Sequence, residues 1–114
     1  MRFMVIVKAT KDSEAGTLPD EQMLTAMGKY NEELAKAGVM LAGEGLHPSS
    51  RGARVRFSGS KRTVIDGPFS EAKELVGGYF AISAKDYDEA CRIAESCPHL
   101  GYGGSIEVRQ VDQM

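Results

Sequence analysis

Arg2-Phe3-Met4-Val5-Ile6-Val7-Lys8-Ala9 is the stretch on which the fold turns. Read as a strand, it puts Phe3, Val5 and Val7 on one face and Met4 and Ile6 on the other, because successive strand side chains alternate. Apolar residues on both faces mean a sheet that is covered twice. Helices supply one cover. The sequence carries two long helical patterns and nothing else to lay over the sheet, so the second cover is expected from another copy of the chain. Soluble monomers rarely leave a large apolar sheet bare, and two-fold dimers are the commonest oligomers.

Outward from that strand the pattern continues without a linker or a low-complexity segment. Thr17-Leu18-Pro19-Asp20 reads as a helix start, with Thr17 as N-cap and Asp20 near the positive end of the dipole. Met23, Met27, Tyr30 and Leu34 then recur on one helical face, a core stripe, and Gly38 stops the helix. Val39 to Gly43 reads as a second strand. Arg54 to Phe57 alternates and pairs with Arg62 to Asp66 across Gly59-Ser60-Lys61, a hairpin. Gly77 to Ile82 is another strand. Asp86 with Glu89 forms a capping box for a second long helix, whose inner face is Ala90, Ile93, Ala94 and Cys97 and which Pro98 ends. Ser105 to Val111 closes the chain as a strand. The order β-α-β, hairpin, β-α-β predicts an α+β, ferredoxin-like sandwich in a single domain over residues 1–114, with two copies joined as a dimeric α/β-barrel.

Composition narrows the function classes. The 114 residues suit one domain. A net charge of −2 and the absence of Trp argue against whole-surface attraction to nucleic acid or an anionic membrane and against an aromatic stacking platform. The opening apolar run, Phe3 to Val7, is too short for a signal peptide or a membrane span. Cys91 and Cys97 lie six apart on one expected helix, about 9 Å between Cα atoms, beyond the roughly 7 Å that a disulfide spans. They read as reduced thiols of a cytoplasmic protein and lack the spacing of a zinc site.

The chemistry-bearing residues fall in loops. In Asp66-Gly67-Pro68-Phe69-Ser70-Glu71-Ala72-Lys73-Glu74, Asp66 ends a strand, Gly67 permits an unusual backbone angle, Pro68 presets a short helix and Phe69 can plug the core. Asp66 reads either as a site residue or as a cap accepting backbone N–H bonds. His47 and His99 each follow an element, as solvated side chains or as partners of a carboxylate at one mouth of the barrel. Strand ends and glycines converge there, so the candidate ligand pocket comprises Glu44, His47, Asp66, Glu71, Lys73 and His99. From Ser49 to Arg62 the chain carries Arg51, Arg54, Arg56, Lys61 and Arg62 and no acid, leaving nine basic against sixteen acidic residues elsewhere. That run is either an anion site or an edge hairpin protected by charge. Gly101-Tyr102-Gly103-Gly104 leads into a strand and not a helix, which removes the phosphate-loop reading.

Asp66-Gly67-Pro68-Phe69, followed by Glu71, Lys73 and Glu74 and then Gly77-Gly78-Tyr79-Phe80, resembles the signature of the YCII-related family, also called DGPF-domain proteins. Gly43-Glu44-Gly45-Leu46-His47-Pro48-Ser49 and Gly104-Ser105-Ile106-Glu107-Val108-Arg109 are similar to that family too, so the resemblance spans essentially the whole chain. It implies a dimeric α/β-barrel of ferredoxin-like halves and no single reaction. Some members occur fused to, or encoded beside, extracytoplasmic-function sigma factors. Others are suspected of catalysis through a His–Asp pair at a cleft, with the histidine in the first long helix. Here residues 20–38 contain no histidine, and the segment corresponding to the aspartate reads Ser96-Cys97-Pro98-His99. Two functional readings stand side by side. One is a small dimeric ligand-binding or regulatory accessory module, taking a small anionic or polar ligand and, by resemblance alone, a sigma factor as partner. The other is a cofactor-free enzyme acting on a small organic acid or carbonyl compound at the barrel mouth. Neither assigns catalytic residues, and no cofactor or metal is expected.

Overall fold

The computed structural model describes residues 1–17, 19–70, 75–98 and 105–112. In chain order its elements are β1 (Arg2–Lys8), α1 (Lys11–Glu14), α2 (Glu21–Lys36), β2 (Met40–Gly45), β3 (Ala53–Ser58), β4 (Lys61–Asp66), β5 (Val76–Ser83), α3 (Tyr87–Glu95) and β6 (Ile106–Gln110), with a 3-10 turn at Ser49–Arg51. Four strands form one antiparallel sheet in the order β2-β5-β1-β6, while β3 and β4 pair with each other in a separate two-stranded sheet. This is the ferredoxin-like arrangement with a hairpin inserted between its halves.

The alternation of β1 does what its sequence dictates. Phe3 and Val5 are fully buried, facing Ile82 and Phe80 across β5 and Gln110 and Val108 across β6. Both long helices cover this face. Tyr30 of α2 and Ala90 and Ala94 of α3 join it in one core, with Cys97 just beyond α3. The Tyr30 hydroxyl donates to the Ile93 carbonyl at 2.6 Å, tying the two helices together. Its ring meets Phe80 edge to face, centroids 5.9 Å apart. Burial holds the Tyr30 phenol well above the ordinary tyrosine range, with Cys97 adding to the shift. Neither Cys91, which is exposed, nor Cys97, which is buried, is in a disulfide.

The opposite face is different. Met4, Ile6, Tyr79 and Ala81 occupy its centre, partly exposed, and no described helix packs there. At its β6 side Glu107 accepts from Arg109 at 3.0 Å and lies 3.5 Å from Lys8, which holds its carboxyl below the usual carboxylate range.

Several boundaries differ from the sequence reading. The N-cap of α2 is Asp20, whose Oδ1 accepts from the Met23 N–H at 2.7 Å, not Thr17. A cap at Thr17 would have made the residue before Pro19 the first of the helix, a position that proline pushes away from helical angles. The end was legible: Gly38 has φ +72°, and Val39 and Gly38 donate to Leu34 and Ala35. α3 stops at Glu95, two residues before Cys97, since Cys97 itself precedes Pro98. Asp86 caps it by accepting from the Glu89 N–H at 2.9 Å. The hairpin loop is two residues, Gly59-Ser60, not three, with Ser58 opposite Lys61 and Gly59 at φ +60°.

Candidate functional site

A cleft of about 500 Å³ opens between α2 and one end of the sheet, and missing side chains make it. Val7 lies opposite Gly78, Gly78 opposite Gly45, and Phe80 opposite Gly43. These are inward-facing positions, so the sheet presents bare backbone where elsewhere it presents Phe3, Val5 and Ile82. A Cβ on Gly43 would stand 3.1 Å from Phe80 Cβ, and one on Gly78 would stand 3.1 Å from the Glu44 carbonyl oxygen. A Cβ on Gly45 would meet nothing within 4 Å, because it would point into the cleft that Gly45 lines. Met27 and Asn31 of α2 form the roof, and Met40 and Phe80 give the apolar side.

The walls are loops held by specific bonds. Thr10 caps α1 through a reciprocal box: Ser13 N–H donates to Thr10 Oγ1 at 3.1 Å and Thr10 N–H donates to Ser13 Oγ at 2.8 Å. Glu14, at the end of α1, accepts from the Ser49 N–H at 2.8 Å and also from the Ser49 hydroxyl. Ser49 Oγ in turn accepts from the Phe69 N–H at 3.0 Å. Three segments distant in sequence are thereby clasped: α1 on one wall of the cleft, the 46–49 loop on the other, and the turn at Gly67-Pro68 behind it.

That turn is built otherwise than its sequence suggests. Gly67 does not need a left-handed backbone, which is found at Gly16, Gly38 and Gly59. It needs the absence of a Cβ, which would stand 1.8 Å from the Ser49 carbonyl oxygen. The Asp66 carboxylate, expected as a possible cap, makes no hydrogen bond among the described residues. Ser49 and the Gly67 N–H bond to the Gly52 carbonyl, 3.0 Å, hold the turn instead. Phe69 is not a core plug: it is half-buried beneath the Arg54 guanidinium, 3.8 Å from the ring centroid.

Of the six residues that the sequence groups together, Glu44 and His47 line the cleft. Asp66 stands exposed at the base of the hairpin, opposite Ala53 and outside that lining. Glu71, Lys73 and His99 lie outside the described residues, as does the segment 101–104. Arg51 Nη1 lies 3.2 Å from His47 Nδ1. A guanidinium only donates, so this contact makes Nδ1 the acceptor and leaves His47 with its proton on Nε2. In that contact Nε2–H is the ring group available to donate. Asn31, Thr17 and the glycine floor were missed by the sequence reading. The available signal was glycine at the alternating positions 43 and 45 of one strand, facing Gly78. Among the described residues, no group of three His, Cys, Asp or Glu side chains stands ready for a metal ion.

With this geometry in hand, comparison with known proteins gives a consistent picture. The YCII-related domain matches residues 1–114. A protein of Rhizobium meliloti (strain 1021), itself uncharacterized, is 31% identical over 91 residues, covering 79% of this chain and 73% of its own. Among solved structures, the 5-chloro-2-hydroxyhydroquinone dehydrochlorinase of Burkholderia phenoliruptrix AC1100, in complex with 2,5-dihydroxybenzoquinone, superposes with a TM-score of 0.59. It shares 16% identity over 100% of this chain and 96% of its own, a likeness of fold.

Proposed function

The chain belongs to the YCII-related family, and on that footing we propose that it is a homodimeric module that binds a small organic molecule in the cleft beneath α2. The observation that carries this reading is the glycine floor. Three inward positions without side chains, Gly43, Gly45 and Gly78, leave a hollow of drug-fragment size in a sheet otherwise filled by large residues. Its lining suits a particular chemistry. Met27, Met40 and Phe80 suit a flat apolar body, while the His47 Nε2–H, the Asn31 amide and the Thr17 hydroxyl suit a carbonyl or hydroxyl oxygen at one end. The dimer reading rests on the uncovered sheet face at Met4, Ile6, Tyr79 and Ala81, and a second copy closing on it would give the barrel. No described helix is long and apolar enough to cross a membrane, and the unbridged cysteines suit a cytoplasmic setting.

A catalytic form of the same reading draws support from the fold shared with a dehydrochlorinase that holds a hydroxyquinone. In it, His47 donates from Nε2 to a ring carbonyl and stabilises the negative charge that develops on that oxygen, with Arg51 fixing the tautomer. No cofactor enters. Native mass spectrometry of purified protein addresses binding and assembly together. A dimer retaining a small molecule in wild type and losing it in Gly45→Leu supports the reading. A molecule retained equally by both moves the site elsewhere. Turnover of a supplied ring carbonyl compound selects the enzyme, and a stable complex with a sigma-type factor selects the regulatory module.

A further inference from the structure

The hairpin β3–β4 has no use in the cleft and stands away from the body. Among the described residues its strands pair only with each other, and six-residue strands give it a reach of about 20 Å. The radius of gyration is 15.7 Å, against about 13 Å for a compact domain of this length. Register divides its side chains between two faces. Val55, Phe57 and Val64 share one face with Arg62 and are 52%, 67% and 66% exposed. Arg54, Arg56 and Lys61 share the other. Of these cations Arg62 alone lies on the apolar face, its guanidinium 5.5 Å from the Phe57 ring centroid, and Val55 and Val64 beside it stay exposed. A lone two-stranded hairpin is marginal in water, and an apolar strip at the tip of one is costly to leave wet.

We propose that this hairpin is an arm that each copy of the chain lays on the other, with Val55, Phe57 and Val64, and Arg62 on the same face, against the second copy, while the remaining cations favour the approach through attraction to its acidic body. The proposal rests on the homodimer reading above. Charge names the occupant. Arg51, Arg54, Arg56, Lys61 and Arg62 make no ion pair with a carboxylate among the described residues, whose ion pairs join Lys8, Lys36 and Arg109 to acids of the body. Outside residues 49–62 the chain carries nine basic and sixteen acidic residues. A second copy therefore offers an excess of negative charge to an arm whose residues 49–62 carry only basic charge. A nucleic acid would satisfy the cations and leave Val55, Phe57 and Val64 in water.

The test uses the full chain with the photoreactive p-benzoylphenylalanine in place of Phe57, alongside sedimentation of wild type and Val64→Lys at micromolar concentration. Expected are a wild-type mass twice 12.3 kDa, a covalent dimer on irradiation, and at least a tenfold weaker dimer for Val64→Lys with an unchanged far-ultraviolet spectrum. A wild-type dimer that gives no covalent product at position 57 overturns the arm and leaves the dimer standing. A wild-type monomer overturns the dimer reading and the arm with it. The photoreactive variant keeps a large aromatic at an exposed position, so the outcome does not depend on Val64→Lys folding.

Discussion

A methyl group on Gly67 would collide with the Ser49 carbonyl, so Gly67→Ala must displace either the turn or the 3-10 segment beneath it. Overpacking against backbone is expected to cost about 2 kcal/mol or more, read as a lower urea midpoint, while Gly45→Ala, with open space before it, should stay within about 0.5 kcal/mol of wild type. Equal effects would contradict the close approach at Gly67. Tyr30 gives a pH signature. Its phenol ionises near 10.0 when unfolded and at higher pH when folded, so the unfolded chain releases its proton first as pH rises. The Tyr30 contribution to stability should be level below about pH 10 and fall above it. Tyr30→Phe should flatten that limb while losing about 1 kcal/mol for the missing bond to Ile93. An unaltered alkaline limb would place the effect at another group. At His47, nitrogen-15 chemical shifts of the neutral ring should show the Nε2–H tautomer in wild type and a mixture in Arg51→Ala.

Among elements, the two ends of α2 show what a sequence can and cannot tell. Gly38 was readable as a stop because a left-handed C-terminal residue is nearly reserved to glycine. The start was misplaced by three residues because Thr17 and Asp20 are both good caps and the intervening Pro19 decides between them. Asp20→Ala should therefore cost about 1 kcal/mol in thermal or urea unfolding, and Thr17→Ala should leave that midpoint in place. The short α1 escaped notice altogether: four residues carry no periodicity, and the box between Thr10 and Ser13 lacks the usual Glu or Gln. Its bond partner, Ser49, lies 35 residues away from Glu14, a pairing that no local pattern announces. The strands were legible because alternation is local. The cleft was not, because its floor is a coincidence of three glycines brought together by register between β2 and β5.

At the scale of the molecule, one sheet face is covered by both long helices, and no described helix covers the other. The 19 Å thinnest dimension fits a single layer of helices on a single sheet. On the homodimer reading proposed above, Met4→Lys, in the middle of that second face, should weaken the dimer in sedimentation without disturbing the core on the other side. The central claim, however, is the cleft. Its most direct test is a nitrogen-15 amide titration of wild type and Gly45→Leu with 2,5-dihydroxybenzoquinone, the small ring carbonyl held by the structural neighbour, and with simpler ring carbonyls beside it. The account predicts saturable shifts at the amides of Gly43, Gly45 and Gly78 and at the Asn31 side chain, abolished by Gly45→Leu. Shifts confined to Arg54 and Arg56, or undiminished in Gly45→Leu, would contradict it.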